Sequence, residues 1–246
     1  ECLIALAEKA LNLGDISPSL AARLSGELQA VDYVRASCIA FDTSRAWGLD
    51  TYSLARRKPM ARSALPIPTV SVSPTPLSWR ARMAGYRAVE VVCRESPLLW
   101  ADELQYLRAM AVCERLLPLP WRVSSSRWSS VPLDPALPVA VSGVRGARYW
   151  GDIVRKRDMV IARRGLMQAA LALEQYTARR GSYPTSLGKL GATEPDVPYD
   201  VFSSKEYAYR ATGGRYLLYS VGPNLRDDSG RHDRDNGDIV WRPGGR

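Results

Sequence analysis

Leu20, Leu24, Leu28, Val31 and Cys38 recur at three-, four- and seven-residue spacings, which lines them along one face of a helix. Ser17-Pro18 lies ahead of that stripe. Serine caps a helix and proline suits its first position, so the pattern predicts a helix from there to about Phe41. A further helical piece is expected over Trp47 to Leu54, and Cys2 to Leu13 reads as a shorter helix stopped at Gly14. Arg80 to Arg94 reads as another helix. Ser96-Pro97 repeats the cap-and-proline start, with Trp100, Leu104, Leu107 and Ala111 as the expected buried face and Pro118 and Pro120 as the stop. Between these pieces, Pro59, Pro66, Pro68, Pro74 and Pro76 remove backbone donors and force extended geometry, which makes 59–78 a connector. Residues 118–149 are again rich in Pro and Ser, with Trp121, Trp128, Tyr149 and Trp150 available to cover helices.

The pattern changes after residue 150. Asp152 to Arg180 predicts one long amphipathic helix with Ile153, Val160, Met167, Ala170, Leu171 and Leu173 inward, ended by Gly181. A short helical turn is expected over Pro184 to Leu190. Glu206 to Ala211 and Arg215 to Val221 are β-like runs joined by Thr212-Gly213-Gly214, a hairpin signal. Asp238 to Trp241 reads as a closing strand. The expected class is α+β: a helical region over 1–150 with Pro-rich connectors, then a long helix with a small antiparallel sheet over 151–246.

Composition adds limits. Hydrophobic residues are 46% and charged residues 24% of the 246, so a packed core is expected. The net charge is +9, with 34 Lys plus Arg against 25 Asp plus Glu. Arg155-Lys156-Arg157 with Arg163-Arg164 is the densest basic group. It could meet phosphate, anionic lipid or nucleic acid, but no nucleic-acid-binding motif accompanies it, and a solvated helix face is the plainer reading. Cys2, Cys38, Cys93 and Cys113 form no CxxC pair, which argues against zinc and for buried free thiols; disulfides are an option if the chain is exported. No run of about 18 apolar residues is present. The chain begins with Glu1 rather than Met, so a fragment or processed product is expected, with a membrane anchor or signal ahead of Glu1 left open.

Ala170-Leu-Ala-Leu-Glu-Gln-Tyr176, Arg180-Gly-Ser-Tyr-Pro184, Tyr216 to Gly222 and Asp238-Ile to Trp241 follow one another in a distinctive order. Over roughly 155–241 this resembles the globular part of the major pseudopilin of type II secretion. In that family a long helix ends in a Gly-x-Tyr-Pro turn, a small antiparallel sheet follows, and a calcium-binding loop closes the chain. Tyr199-Asp-Val-Phe-Ser203 stands where the family has an Asp-Pro-aromatic-Gly turn, and residues 1–150 stand where it has an apolar helix. The whole chain resembles bacterial envelope proteins that carry such a module after a helical region. The resemblance implies a non-catalytic structural or interaction protein of the cell envelope, periplasmic or membrane-anchored with this part outside the cytoplasm. Its expected partners are other envelope or secretion proteins.

The loop between the last two strands holds Asn224, Asp227, Asp228, Asp233, Asp235, Asn236 and Asp238. Calcium takes six to eight oxygen ligands, and clustered carboxylates repel one another without a cation. The spacing is not that of an EF-hand, and these residue types also make ordinary polar turns. The resemblance selects Asn224 and Asp238 as loop-end calcium ligands, with Asp227 and Asp235 as further candidates. His232, the only histidine, sits among Arg231, Asp233 and Asp235. A metal-dependent hydrolase using His232 and these aspartates is the second reading, and a basic nucleic-acid-binding module the third. Against catalysis, Ser124-Ser125-Ser126 lacks a nucleophile elbow and Gly213-Gly214 has no phosphate-binding pattern around it. No small-molecule substrate is indicated. Tyr207, Tyr209, Tyr216 and Tyr219 read as sheet packing.

Overall fold

The computed structural model describes residues 30–57, 97–131, 146–190, 197–212, 214–231 and 236–241, with 23, 26 and 27. The expected Cys2–Leu13 and Arg80–Arg94 helices lie outside the described residues, as do Leu20, Leu24, Leu28, the 59–78 connector, Cys2, Cys93, His232, Asp233 and Asp235. The fold is α+β: helices α1 (Tyr33–Arg57), α2 (Pro97–Leu116), α3 (Trp121–Ser124) and α4 (Gly146–Arg180) precede an antiparallel sheet of β1 (Ala208–Thr212), β2 (Arg215–Ser220) and β3 (Ile239–Trp241). Two compact units share the chain. One takes Glu1–Ala36, Leu119–Ser125 and Asp152–Arg246, the other Ser37–Pro118 and Ser126–Gly151.

Helix α1 corrects the first expected helix. The chain is not helical at Val31 and Asp32, and Val31 is exposed. Asp32 Oδ1 instead accepts the Arg35 N–H at 2.9 Å while its carbonyl accepts that of Ala36. A short acidic side chain competes for backbone amides and so starts a new helix. That helix runs on through the Trp47–Leu54 piece as one element.

In the unit formed by 37–118 and 126–151, α1 and α2 meet through Tyr52 and Tyr106, whose ring centroids are 5.6 Å apart. Tyr52 also donates to the buried Asp102 at 3.1 Å, and Arg45 Nη1 pairs with Glu114 at 2.7 Å. Gly48 lets Tyr106 in: a Cβ there would collide with the Tyr106 hydroxyl, which donates to the Arg45 carbonyl at 3.3 Å. Phe41 meets Trp150 edge-on at 5.1 Å, and Trp128 lies against Gly151. Cys113 is a buried free thiol pushed up to about 11 by its burial, and Cys38 is a half-buried free thiol. The expected inward face of α2 is corrected. Tyr106, Ala109, Met110, Cys113 and Leu116 are buried, while Trp100, Leu104 and Leu107 are exposed. The helix is apolar on two faces, and α1 covers the one that offers partners to Asp102 and Tyr106.

The other unit is built on α4. It begins six residues before the predicted Asp152 and ends at Gly181, whose φ of 74° lets its N–H reach the Thr177 carbonyl at 2.7 Å. Met167, Ala170, Leu171 and Leu173 are buried as the periodicity indicates, while Ile153 and Val160 are half-buried. The predicted turn over Pro184 to Leu190 contains a 3-10 turn at Leu187–Lys189. Strand β2 is central. Thr212 pairs with Arg215 across the hairpin, and Ser220 pairs with Ile239 of β3. The core joins Ala162, Leu166 and Met167 of α4 to Phe202, Tyr207, Tyr216, Leu218, Ile239 and Trp241. The tyrosines of the sheet pack as expected: Tyr216 meets Tyr183 at 4.9 Å, and Tyr209 donates to the Pro184 carbonyl at 2.9 Å.

Gly165 of α4 lies tight against Tyr207, because a Cβ there would run into the Tyr207 hydroxyl. Glycine normally costs a helix about 1 kcal/mol relative to alanine. Gly165→Ala is therefore expected to destabilise by about 1–3 kcal/mol through overpacking despite the gain in helix propensity. Tyr207→Phe should recover part of the loss in the double mutant, since it removes the nearest atom. Urea unfolding of the two single variants and the double variant measures the coupling; additive losses would contradict it.

Candidate functional site

Strand β2 ends at Ser220, and the chain then turns away under two constraints. Gly222 has φ 68°, and a Cβ on it would strike the Gly237 carbonyl, so the start and end of the acidic loop touch backbone to backbone. Asp200 holds the same point from below. It is buried, and its Oδ1 accepts the Ser220 hydroxyl at 2.8 Å and the Phe202 N–H at 3.1 Å. The Tyr199–Ser203 turn is closed further by the Asp200 N–H on the Lys205 carbonyl at 2.8 Å and the Ser204 N–H on the Asp200 carbonyl at 2.7 Å. Ser220 Oγ in turn accepts the Gly222 N–H at 3.2 Å.

The loop itself is tied to Asp238, which is fully buried. Its Oδ2 accepts the Gly230 N–H at 2.7 Å and its Oδ1 the Asp228 N–H at 3.3 Å. Left-handed backbone at Ser229 (φ 61°) and Gly230 (φ 79°) gives the chain the curvature this requires. Asn224 stabilises the first half: its Oδ1 accepts the Arg226 N–H at 2.9 Å and its Nδ2 donates to Asp228 at 2.7 Å. Asp227 Oδ1 accepts both the Ser229 N–H at 2.8 Å and the Tyr219 hydroxyl at 2.9 Å. Burial first, and then the Asp227 carboxylate, push the Tyr219 phenol up to about 12. Burial likewise holds Asp238 above the usual carboxylate range, opposed by its two amide bonds.

A second tie approaches from residues 119–121. Trp121 Nε1 donates to the Pro223 carbonyl at 2.9 Å, at the start of the loop. Its backbone N–H donates to Asp158 Oδ2 at 2.6 Å. Asp158 is paired with Arg157 at 2.8 Å, and Arg157 Nη2 donates to the Leu119 carbonyl at 2.9 Å. Arg157, expected on the basic surface of the long helix, is instead buried in this pair. Arg155 lies 3.4 Å from Asp152, and Arg164 donates to the Val31 carbonyl and covers the Tyr33 ring.

The structure thus brings Asn224, Asp227 and Asp238 into one loop, while Asp235 and His232 lie outside the described residues. The oxygen donors are of the hard type that suits calcium. In the loop they serve as acceptors for backbone amides, and among the described residues no three acidic, imidazole or thiolate groups converge to hold an ion. Asp158 gives no signal in the sequence; Trp121 reads there only as an aromatic available to cover helices, and Asp200 only as part of the Tyr199–Ser203 turn of the resemblance. Among the described residues no helix is long and apolar enough to cross a membrane. No protein-family model matches this chain, and no curated protein or solved structure matches it.

Asp238→Ala leaves two loop amides without their acceptor and is expected to cost about 1–3 kcal/mol. An acid whose folded pKa is raised binds its proton more tightly in the folded state, so its contribution to stability falls as pH rises from about 4, the unfolded value, through the folded value. Asp238→Asn should remove that part of the slope. Unfolding free energies of wild type and Asp238→Asn across this range give the difference; parallel curves would show that Asp238 titrates as it does in the unfolded chain.

Proposed function

We infer that this chain is a non-catalytic structural or interaction protein of the cell envelope, linked to type II secretion through a pseudopilin-like module over 151–246. The observation that carries this reading is the order of elements. A long helix stops at Gly181, a Tyr183-Pro184 turn follows, and a three-stranded antiparallel sheet ends in a loop that Asp238 closes at the start of β3. The acidic residues of the described loop are engaged in holding backbone, which is a scaffold's use of carboxylates. The hydrolase reading depends on His232 and Asp235, and the basic-surface reading is weakened by the burial of Arg157. Calcium is part of the proposal. Asn224, Asp227 and Asp238 with Asp235 are its donor set, and the ion would brace a loop that amide bonds to Asp238 already shape.

An ion that binds only the folded state raises stability by mass action, by about 2.7 kcal/mol at a hundredfold excess over its Kd. Calcium is expected to raise the melting temperature, chelator to lower it, and magnesium to substitute poorly because it requires a tighter octahedron. Asp238→Ala should abolish most of the calcium shift. Scanning calorimetry in the three conditions reads this out, and superimposable curves would return the loop to a polar turn without an ion. The envelope assignment has a separate test. Fractionated cells should hold the native protein with membranes or periplasm, and recovery in the cytosol alone would reject it.

A further inference from the structure

Within the unit built on α4, the C-terminal end of that helix and the β1–β2 hairpin enclose a cleft of about 540 Å³, a size within the range of small-molecule sites. Thr177, Ser182 and Tyr183 line it from the helix side, and Thr212, Gly214 and Arg215 from the hairpin. Gly181 and Gly214 have left-handed backbone, with φ 74° and 78°, and a Cβ on either would meet nothing within 4 Å, so space is open beside both. Tyr183 is fixed in place: its hydroxyl donates to Glu174 at 3.0 Å and its ring meets Tyr216 edge-on at 4.9 Å. The other polar side chains are not engaged in this way. Among the described residues, Arg215 makes no ion pair, and neither it nor Thr212 donates a side-chain hydrogen bond. Thr177 lines the cleft, yet its hydroxyl is buried and has no partner. Such a group costs stability and calls for a partner. Threonine in a helix divides between two rotamers, so rotation about one bond can offer this hydroxyl to a ligand.

We propose that this cleft binds a small hydroxylated monocarboxylate of the sugar-acid class. Arg215 is the only charged residue among the described ones that line it, and its planar fork matches a carboxylate. A dianion fits less well. The cleft lies at the C-terminal end of α4, where a helix carries partial negative charge. Arg180, in the last turn, is stacked over the Tyr176 ring at 5.1 Å. One guanidinium therefore balances one negative charge. The hydroxyls of Thr177, Ser182 and Thr212 match a body that carries hydroxyls of its own, and the Tyr183 ring gives that body an apolar wall. The acidic loop and calcium take no part in this site, so the inference stands apart from the function proposed above.

The test titrates the isotope-labelled whole chain with D-glucuronate and follows amide chemical shifts. Changes are expected at 181–183 and 211–215, saturating with a Kd of about 1 mM or below. Glucose, which lacks the charge, and glucose 6-phosphate, which carries two, should each bind about tenfold more weakly. Arg215→Ala should also weaken glucuronate about tenfold at unchanged melting temperature, since the residue is exposed. Ala211→Trp, at an exposed position of the lining, should block the cleft without altering its charge. Thr177→Val separates binding from folding. It removes an unpaired buried hydroxyl and should raise the melting temperature, while weakening glucuronate several-fold. Absent shifts or shifts confined to other residues, glucose binding as tightly as glucuronate, the phosphate binding more tightly, or any of the three variants binding like wild type would each overturn the proposal.

Discussion

A sheet of three short strands cannot bury a face by itself, and α4 is what makes this one possible. The helix presents Ala162, Gly165, Ala169 and Ala170 where bulkier residues would hold the sheet away. Into that shallow side go the large groups of the sheet and its turns: Phe202, Tyr207, Tyr216 and Trp241. Leu166, Met167, Leu171 and Leu173 of the helix fill the rest of the same core. Strand β3 has only three residues, two of them buried. It stays in register with β2 because Gly222 and Gly237 touch just before Ser220 and Ile239 pair.

Around that core, buried acids act as fasteners. Asp200, Asp158 and Asp238 each sit where two separate pieces of chain meet, and each accepts a backbone N–H from the piece it holds: Val221, Trp121 and Gly230 respectively. Removing a carboxylate from water is costly unless its oxygens are bonded. Here the bonds come from amides that would otherwise be orphans in turns, so one pairing satisfies both groups. Asp158 also has a cation, Arg157, whose Nη2 donates to the Leu119 carbonyl. The pair specifies where residues 119–121 lie more than it adds stability, since burying both charges offsets much of their attraction.

The parts of the fold that were legible in sequence are those with one dominant periodicity. Met167, Ala170, Leu171 and Leu173 on α4, the Gly181 stop and the Thr212–Arg215 hairpin follow from local rules that nothing distant overrides. The face of α2 was not legible, because both stripes are apolar and it is packing against α1, at Tyr52 and Gly48, that takes Tyr106 inside. The first helix was misread for a different reason. Asp32 breaks it by capping, and a hydrophobic stripe counted through Val31 is blind to that. In the loop, Asn224, Asp227 and Asp238 each accept backbone amides; Asp227 also accepts the Tyr219 hydroxyl, and Asn224 donates to Asp228. Ligands for a hard cation and acceptors for turn amides are the same residue types, so composition alone does not distinguish them. Arg157 reads as a member of a charged helix face, whereas in the fold it is buried with Asp158 against the chain passing at 119–121.

That passage has a consequence for how the molecule is made. Leu119–Ser125 belongs to the same compact unit as Asp152–Arg246, yet residues 126–151 between them belong to the other. During synthesis from the N-terminus, Trp121 leaves the ribosome well before Asp158 and long before Pro223, the two residues it finally engages. It must therefore wait, unpaired, for most of the remaining chain. A cut at residue 151, the natural place to separate the two kinds of sequence, would deprive Asp158 of the Trp121 amide and Arg157 of the Leu119 carbonyl. The C-terminal module carries its own core, but it borrows a fastening from upstream, and a piece expressed from residue 152 onward would be a damaged version of it rather than an independent domain.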